Sequence, residues 1–155
     1  MIRVVWGTGS AHTAKGSFDR ALAAADIHDY NLRELSSVIP AGAAVEAVGS
    51  APDLGATGNA LDAVVARQTS PPGTRAAAGL AWARGDDGTG IFYEVGDHDP
   101  ESVRELLRSG IETGCAIRDI DEPTPETRVT TADAKADCYV TAVVVATYGE
   151  SEPLL

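Results

Sequence analysis

The stretch "CYVTAVVVATY", residues 138 to 148, is apolar at almost every position and rich in β-branched valine. Valine favours strands, and a strand with one face in water normally alternates apolar and polar residues. This stretch does not alternate, so it predicts a central strand that is covered on both faces. Such a strand belongs in a layered fold, where each buried face of a sheet packs against another layer.

The patterns on either side of this stretch predict an α+β fold with seven or eight strands and two helices. Residues 7–16, "GTGSAHTAKG", predict a loop, because their G-x-G lacks the third glycine of a dinucleotide site. Residues 68–75, "QTSPPGTR", predict a turn. We expect packed sheets with helices on their outer faces. The further strands are expected over 2–6, 30–35, 43–49, 60–67, 76–84, 91–96 and 127–131.

Two segments carry the signals of helix termini. In "SFDRALAAADI", which starts at residue 17, Ser17 is the predicted N-cap and Asp19 falls in the first turn, where the helix dipole favours a carboxylate. In "DHDPESVRELLRSGIETG", which starts at residue 97, Asp99 is the predicted N-cap and Pro100 the first helical residue. Gly114 predicts the end of this second helix.

Length and charge limit the classes of function. The chain has 155 residues, the size of one domain, and 23 acidic against 12 basic residues give a net charge of −11. An acidic chain is a poor binder of nucleic acid or of anionic membranes. It contains no apolar run long enough to span a bilayer, so we expect a soluble cytoplasmic protein. The scarcity of lysine, with arginine retained, favours adaptation to high salt, where counterions screen surface carboxylates.

The sequence lacks the patterns of several common catalytic sites. Cys115 and Cys138 have no CxxC spacing and predict reduced thiols, while the three histidines are scattered and predict no metal site. There is no P-loop and no G-x-S-x-G nucleophile elbow.

The pair Ser36-Ser37 lies where a predicted strand ends, in "NLRELSSVIPAGA", residues 31–43. At such a site the hydroxyl of the second serine can attack the carbonyl of the first, which replaces the amide by an ester. Elimination and loss of ammonia then leave a pyruvoyl group on the downstream chain, an electrophilic ketone that acts as an electron sink. On composition alone an ordinary turn is by far the better explanation of the pair, because Ser-Ser dipeptides are common.

The context of this pair resembles the pyruvoyl-dependent arginine decarboxylases. That family carries Phe-Asp in a helix, then an Asn-Leu strand, then Ser-Ser followed by two apolar residues and proline; here these stand at 18–19, 31–32 and 36–40. The similarity continues in "GTGSAHT", "TSPPGTRAAAGLA", "GIFYE" and "CYVTAVVVATY". It implies a four-layer α/β/β/α sandwich of the pyruvoyl-dependent histidine/arginine decarboxylase type, from an archaeon adapted to high salt.

The resemblance also implies roles for individual residues. Cleavage at Ser36-Ser37 of the zymogen would make Ser37 the pyruvoyl group, and Asn31 would hold or polarise the scissile carbonyl. Asp19 would pair with the guanidinium of the substrate. Glu94 would return a proton to the α-carbon, which requires a raised pKa, and we expect its apolar neighbours to bury it. Simpler readings are a turn cap for Asn31, dipole compensation for Asp19 and a solvent-facing edge residue for Glu94.

The reaction that the resemblance implies is decarboxylation of L-arginine to agmatine and CO2, for polyamine synthesis. The single domain 1–155 would be divided into a small chain, 1–36, and a large chain, 37–155, in a homotrimer whose sites lie between subunits. Neither a metal nor pyridoxal phosphate is implied. The alternatives are an uncleaved, non-catalytic relative that binds a small cationic amine, a decarboxylase of another amino acid, and an unrelated acidic scaffold.

Overall fold

The computed structural model describes residues 1–155 and contains nine strands and two helices. The helices are α1 (Ala14–Ala24) and α2 (Pro100–Ile117). The strands are β1 (Ile2–Ala11), β2 (Asn31–Glu34), β3 (Val38–Ile39), β4 (Val45–Gly49), β5 (Ala60–Ser70), β6 (Ala76–Arg84), β7 (Gly90–Asp97), β8 (Glu126–Ala132) and β9 (Tyr139–Tyr148).

The strands form two sheets, and β9 lies in the middle of the larger one. The five-stranded sheet has the order β2-β5-β9-β1-β4, and the four-stranded sheet has the order β3-β7-β6-β8. Strand β9 runs antiparallel to both of its neighbours, β1 and β5. The central position predicted for residues 138–148 is therefore confirmed.

The faces of β9 explain why its sequence does not alternate. Val140 and Val144 belong to a cluster that fills the space between the two sheets, together with Ile39 and Phe92. Val143, with other alternate residues of β9, points the opposite way, into a second cluster under α1. A third cluster joins the smaller sheet to α2. Helix, sheet, sheet and helix thus form four layers, which confirms the predicted α+β sandwich.

The glycine-rich segment predicted as a loop is a strand for half of its length, because β1 continues to Ala11. A Cβ atom on Gly7 would overlap the Ala21 carbonyl oxygen of α1, and one on Gly9 would overlap the backbone of the same helix. These glycines let α1 lie close against the sheet, and they do not serve as turn residues. The predicted loop over 7–16 is wrong up to Ala11.

Helix α1 begins earlier than its sequence suggested. Thr13 is the N-cap, and its hydroxyl accepts a hydrogen bond from the Gly16 amide at 3.0 Å. The prediction of Ser17 as N-cap is wrong: Ser17 is fully buried, and its hydroxyl shares a hydrogen bond with that of Thr141 at 2.7 Å. Asp19 consequently lies beyond the first turn, so dipole compensation does not explain it.

Helix α2 begins as predicted, with Asp99 at the N-cap and Pro100 as its first residue. Its predicted end at Gly114 is wrong, because the helix continues to Ile117. A Cβ atom at position 114 would overlap the Ile91 side chain of β7. The glycine therefore lets α2 pack closely against the Ile91 side chain.

Two strand boundaries also differ from the predictions. Strand β3 is two residues long and gave no periodic signal, and β5 continues to Ser70, so the turn predicted over 68–75 begins later. Neither helix combines the length and apolar character needed to cross a membrane.

Candidate active site

Ser37 occupies an unusual backbone position at the start of β3. Its φ is 80°, in the left-handed region that residues with a Cβ seldom adopt, and its side chain is buried while Ser36 is exposed. Such a conformation costs about 1–3 kcal/mol and persists only where the surroundings impose it. The strained torsion adjoins the peptide bond between Ser36 and Ser37.

Two hydrogen bonds hold Ser37 against β7. Its hydroxyl donates to Glu94 Oε2 at 2.7 Å, and its carbonyl accepts from the Phe92 amide at 2.8 Å. Glu94 reaches Ser37 because β3 and β7 are antiparallel, with Val38 opposite Ile91. A carboxylate at this distance can accept the hydroxyl proton.

A cavity of about 410 Å³ opens beside this pair, between β7 and α2. Ser36, Ser37 and Glu94 line one side of it, and the α2 residues on the other side include Gly110. A Cβ atom on Gly110 would overlap the ring of Tyr93, which also lines the cavity. The absence of a side chain at position 110 therefore leaves room for that ring.

Glu94 is exposed in the single chain, so the expectation that its apolar neighbours bury it is wrong. Side chains alternate along β7, so Glu94 lies on the same face as Phe92, which packs in the core between the sheets. Tyr93 lies on the opposite face and is 40% exposed. Strand β3 pairs only with Gly90 and Ile91, so the edge of β7 is open at Glu94. Neighbours in sequence did not determine burial here because β3 ends before it could cover this residue.

Tyr148 also belongs to this neighbourhood, although its sequence position gave no sign of it. Its hydroxyl donates to the Val38 carbonyl at 2.7 Å, and its ring lies 6.2 Å from that of Phe92. Burial, together with the negative charge of Glu94, raises the pKa of Tyr148 to about 12. The contact joins the end of β9 to the residue that follows Ser37.

Asn31 and Asp19 lie apart from Ser37 and Glu94. The Asn31 side-chain amide donates to the Gly58 carbonyl at 2.8 Å, and Asp19 is exposed on α1, against the other sheet. Neither residue lines the cavity. Within one chain the fold brings together Ser36, Ser37 and Glu94, and the functions predicted for Asn31 and Asp19 stay predictions.

Metal-binding side chains are not clustered in this chain. No group of three or more His, Cys, Asp or Glu side chains is arranged to hold a metal ion. Cys115 is buried and Cys138 partly buried, and both are free thiols.

The sequence matches the family described as pyruvoyl-dependent arginine decarboxylase (PvlArgDC) over residues 1–153. The chain belongs to this family. Proteins named pyruvoyl-dependent arginine decarboxylase from two strains of Halobacterium salinarum are 48% identical over 155 residues, 99% of this chain and 96% of each relative. One from Methanopyrus kandleri is 33% identical over 144 residues, 92% of this chain and 91% of the relative. The resemblance noted from the serine motif is confirmed.

Members of this family depend on a covalent pyruvoyl group, and the geometry around Ser37 fits one. A pyruvoyl group made from this serine would keep the carbonyl that accepts from the Phe92 amide. It would lie beside a carboxylate and face a cavity large enough for a small molecule. The family's decarboxylase chemistry therefore has a suitable position in this chain.

Proposed function

We propose that this chain is a carboxy-lyase that converts L-arginine to agmatine and CO2 after cutting itself between Ser36 and Ser37. The observation that carries the proposal is the 2.7 Å hydrogen bond from the strained, buried Ser37 hydroxyl to Glu94. Family membership and the 48% identical relatives support arginine as the substrate. The products would be the chains 1–36 and 37–155, folded together as one domain.

In the self-cleavage step, Glu94 accepts the hydroxyl proton as Ser37 Oγ attacks the carbonyl carbon of Ser36. The C–N bond between the two serines breaks, a C–O ester bond forms, and the proton passes from Glu94 to the departing nitrogen, which becomes the amine of residue 37. A base then removes the Cα proton of residue 37 while its Cβ–O bond breaks, which forms a Cα=Cβ double bond and releases residues 1–36 as a carboxylate. Addition of water and loss of ammonia complete the pyruvoyl group. Relief of the backbone strain at Ser37, about 1–3 kcal/mol, would favour the first step.

During turnover, the pyruvoyl ketone supplies the electron sink for the electrons of the departing carboxylate. Glu94 then delivers a proton to the α-carbon that has lost CO2. This task requires a protonated carboxyl group near neutral pH, which exclusion of water from Glu94 would favour. Since Glu94 is exposed in the single chain, the proposal requires a cover over it.

A second copy of the chain is the proposed cover. Tyr93, Leu106 and Ile117 line the cavity and expose 40%, 48% and 72% of their surface, which is costly for apolar groups in a free monomer. Glu94 is the only acidic residue that lines the cavity, so one chain offers no second carboxylate for the guanidinium of arginine. Asp19 of a neighbouring copy would supply it in a homotrimer with shared sites.

Asn31 has a proposed role in processing. Its amide would hold the Ser36 carbonyl as negative charge develops on the oxygen. The amide donates to Gly58 in the uncut chain, so this role requires that hydrogen bond to exchange. Asn31→Ala would slow self-cleavage about 10²-fold or more if the amide stabilises the oxyanion.

Intact mass and CO2 release test the proposed function directly. The purified 16.0 kDa chain should convert into two fragments, residues 1–36 and 37–155, and the larger fragment should have no free N-terminal amine. Ser37→Ala should stay whole and release no CO2 from arginine, while Ser10→Ala, a serine on β1 outside the cavity, should behave like wild type. An uncut wild-type chain would instead favour a non-catalytic relative that binds a cationic amine, and preferred turnover of ornithine or lysine would replace arginine as substrate.

The remaining part of the proposal concerns where the reaction takes place. Two free thiols fit a reducing compartment, so we place the enzyme in the cytoplasm. The net charge of −11 disfavours nucleic acid as a partner.

A further inference from the structure

Tyr148 makes the one side-chain hydrogen bond that ties Val38, the residue after the serine pair, to the other sheet. Its hydroxyl donates to the Val38 carbonyl at 2.7 Å. Tyr148 ends β9, the central strand of the five-stranded sheet, whereas Val38 belongs to the four-stranded one. The hydrogen bond therefore connects the segment after the cleavage position to the central strand of the larger sheet.

The geometry of β3 explains why the Val38 carbonyl is available to accept from Tyr148. Successive carbonyls of a strand point to opposite sides, and the Ser37 carbonyl points toward β7, where it accepts from the Phe92 amide. The Val38 carbonyl therefore points away from β7, to the free side of an edge strand. No strand pairs with β3 on this side, so the Tyr148 hydroxyl is the protein donor to this exposed carbonyl.

Cleavage would make this contact more important. In the uncut chain, β2 and β3 restrain Ser37 from both sides. After a cut at residue 36 the upstream restraint is gone. The new terminus then keeps the hydrogen bond from the Phe92 amide and the two residues of β3, of which only Ile39 is buried. An N-terminus with so few contacts would be expected to fray.

We propose that Tyr148 is a positioning residue, which holds the segment that begins at residue 37 beside Glu94 by donating a hydrogen bond to the Val38 carbonyl. This inference rests on the proposed self-cleavage and goes beyond it by assigning a role to a residue outside the cavity. Tyr148 does not line the cavity, so it has no expected contact with arginine. It acts through residues 37 and 38.

The surroundings of Tyr148 suit it to this task. Its ring packs against that of Phe92, which fixes the direction of the hydroxyl. Burial and the charge of Glu94 raise the pKa of Tyr148 to about 12, so the phenol remains a donor throughout the neutral range.

A first experiment tests the contact without relying on activity. Hydrogen exchange would be measured in the full chain with Ser37→Ala, which cannot cleave, alone and combined with Tyr148→Phe. The amides of Phe92 and Ile39, which lie in the β3–β7 pairing, should exchange about fivefold faster in the double variant, the factor expected from loss of one hydrogen bond. The matched control is Tyr139→Phe, which removes the same hydroxyl from the opposite end of β9. Unchanged exchange after Tyr148→Phe would overturn the proposal.

A second experiment tests the function of the contact. Tyr148→Phe in the otherwise natural chain should slow self-cleavage about fivefold and lower kcat per cleaved chain by a similar factor, with KM for arginine nearly unchanged. Tyr139→Phe should match wild type in all three. A change in KM alone would reject a positioning role. Equal losses of rate in both variants, with equal falls in Tm, would show a general structural effect and would also reject it.

The two experiments separate failure of this inference from failure of the proposed function. If the wild-type chain never cleaves, the proposed function is overturned and the positioning role falls with it, while hydrogen exchange still decides whether the contact exists. If wild type cleaves and turns over but Tyr148→Phe does so equally well, only the role of Tyr148 is rejected.

Discussion

Glu94→Gln separates the two ways in which Glu94 could act on Ser37. The substitution keeps the size of the side chain and its ability to accept a hydrogen bond, but it removes the charge and the basicity. Glu94 is exposed and bonds only to Ser37 through its side chain, so the free energy of unfolding should change by no more than about 1 kcal/mol. Changes in reaction rate can therefore be assigned to the site.

The expected magnitudes differ enough to distinguish the roles. If Glu94 only orients the Ser37 hydroxyl, Gln exchanges a hydrogen bond to a charged group for a neutral one, a loss of about 1 kcal/mol or roughly a factor of five. If Glu94 accepts the proton of Ser37, the loss is that of general base catalysis, about 10²–10⁴-fold. The 2.7 Å distance is within reach for proton transfer, and on the proposed mechanism we expect self-cleavage to slow at least about 10²-fold.

The assay follows newly translated chains by intact mass over time and then measures CO2 release per cleaved chain. Because Glu94 is also the proposed proton donor, turnover of the cleaved fraction should fall by about 10²–10⁴-fold as well. Glu46→Gln is the control, since Glu46 is another exposed strand glutamate and lies on β4, away from the cavity. A loss of less than about tenfold in self-cleavage would refute proton transfer to Glu94 and leave it as an orienting group.

Three further predictions concern the cavity, Tyr148 and the surface charge. Gly110→Ala should raise KM for arginine, because the added methyl group displaces the exposed Tyr93 ring that lines the cavity. Tm should stay nearly unchanged, because a helix-propensity gain of about 1 kcal/mol offsets the cost of moving the ring. An unaltered KM would contradict this prediction. Tyr148→Phe should abolish a phenol ionisation near pH 12 in an absorbance titration. The pKa of Tyr148 is higher in the folded than in the unfolded chain, so the stability that Tyr148 contributes is full below about pH 10 and is lost as the pH rises to about 12. The difference in unfolding free energy between wild type and Tyr148→Phe should therefore shrink between about pH 10 and pH 12. With a net charge of −11, the chain should also show a higher Tm in molar KCl than in low salt, and a flat response would reject salt adaptation.

Much of the fold could be predicted because its signals are local. The apolar run of β9 indicated a strand covered on both sides, and the structure divides those residues between the inter-sheet core and the core under α1. Asp99 and Pro100 marked the start of α2 because an N-cap depends on neighbouring atoms alone. Gly7, Gly9 and Gly114 were misread as loop or terminus signals, since their actual purpose is close approach between elements distant in sequence.

For the candidate site, too, some properties follow from the sequence and others only from the tertiary structure. The sequence by itself determined the family, because the Ser36-Ser37 pair and its upstream Phe-Asp and Asn-Leu elements resemble that family's motif. The predicted role of Glu94 followed from this resemblance. Only the tertiary structure decided which of these groups meet: Glu94 contacts Ser37 across 57 residues of chain, while Asn31 and Asp19 lie elsewhere. It alone placed Tyr148 against Val38, 110 residues away, and left Glu94 exposed at an open strand edge. Such contacts depend on sheet order and register, which arise from packing over the whole chain and are not encoded in any single segment.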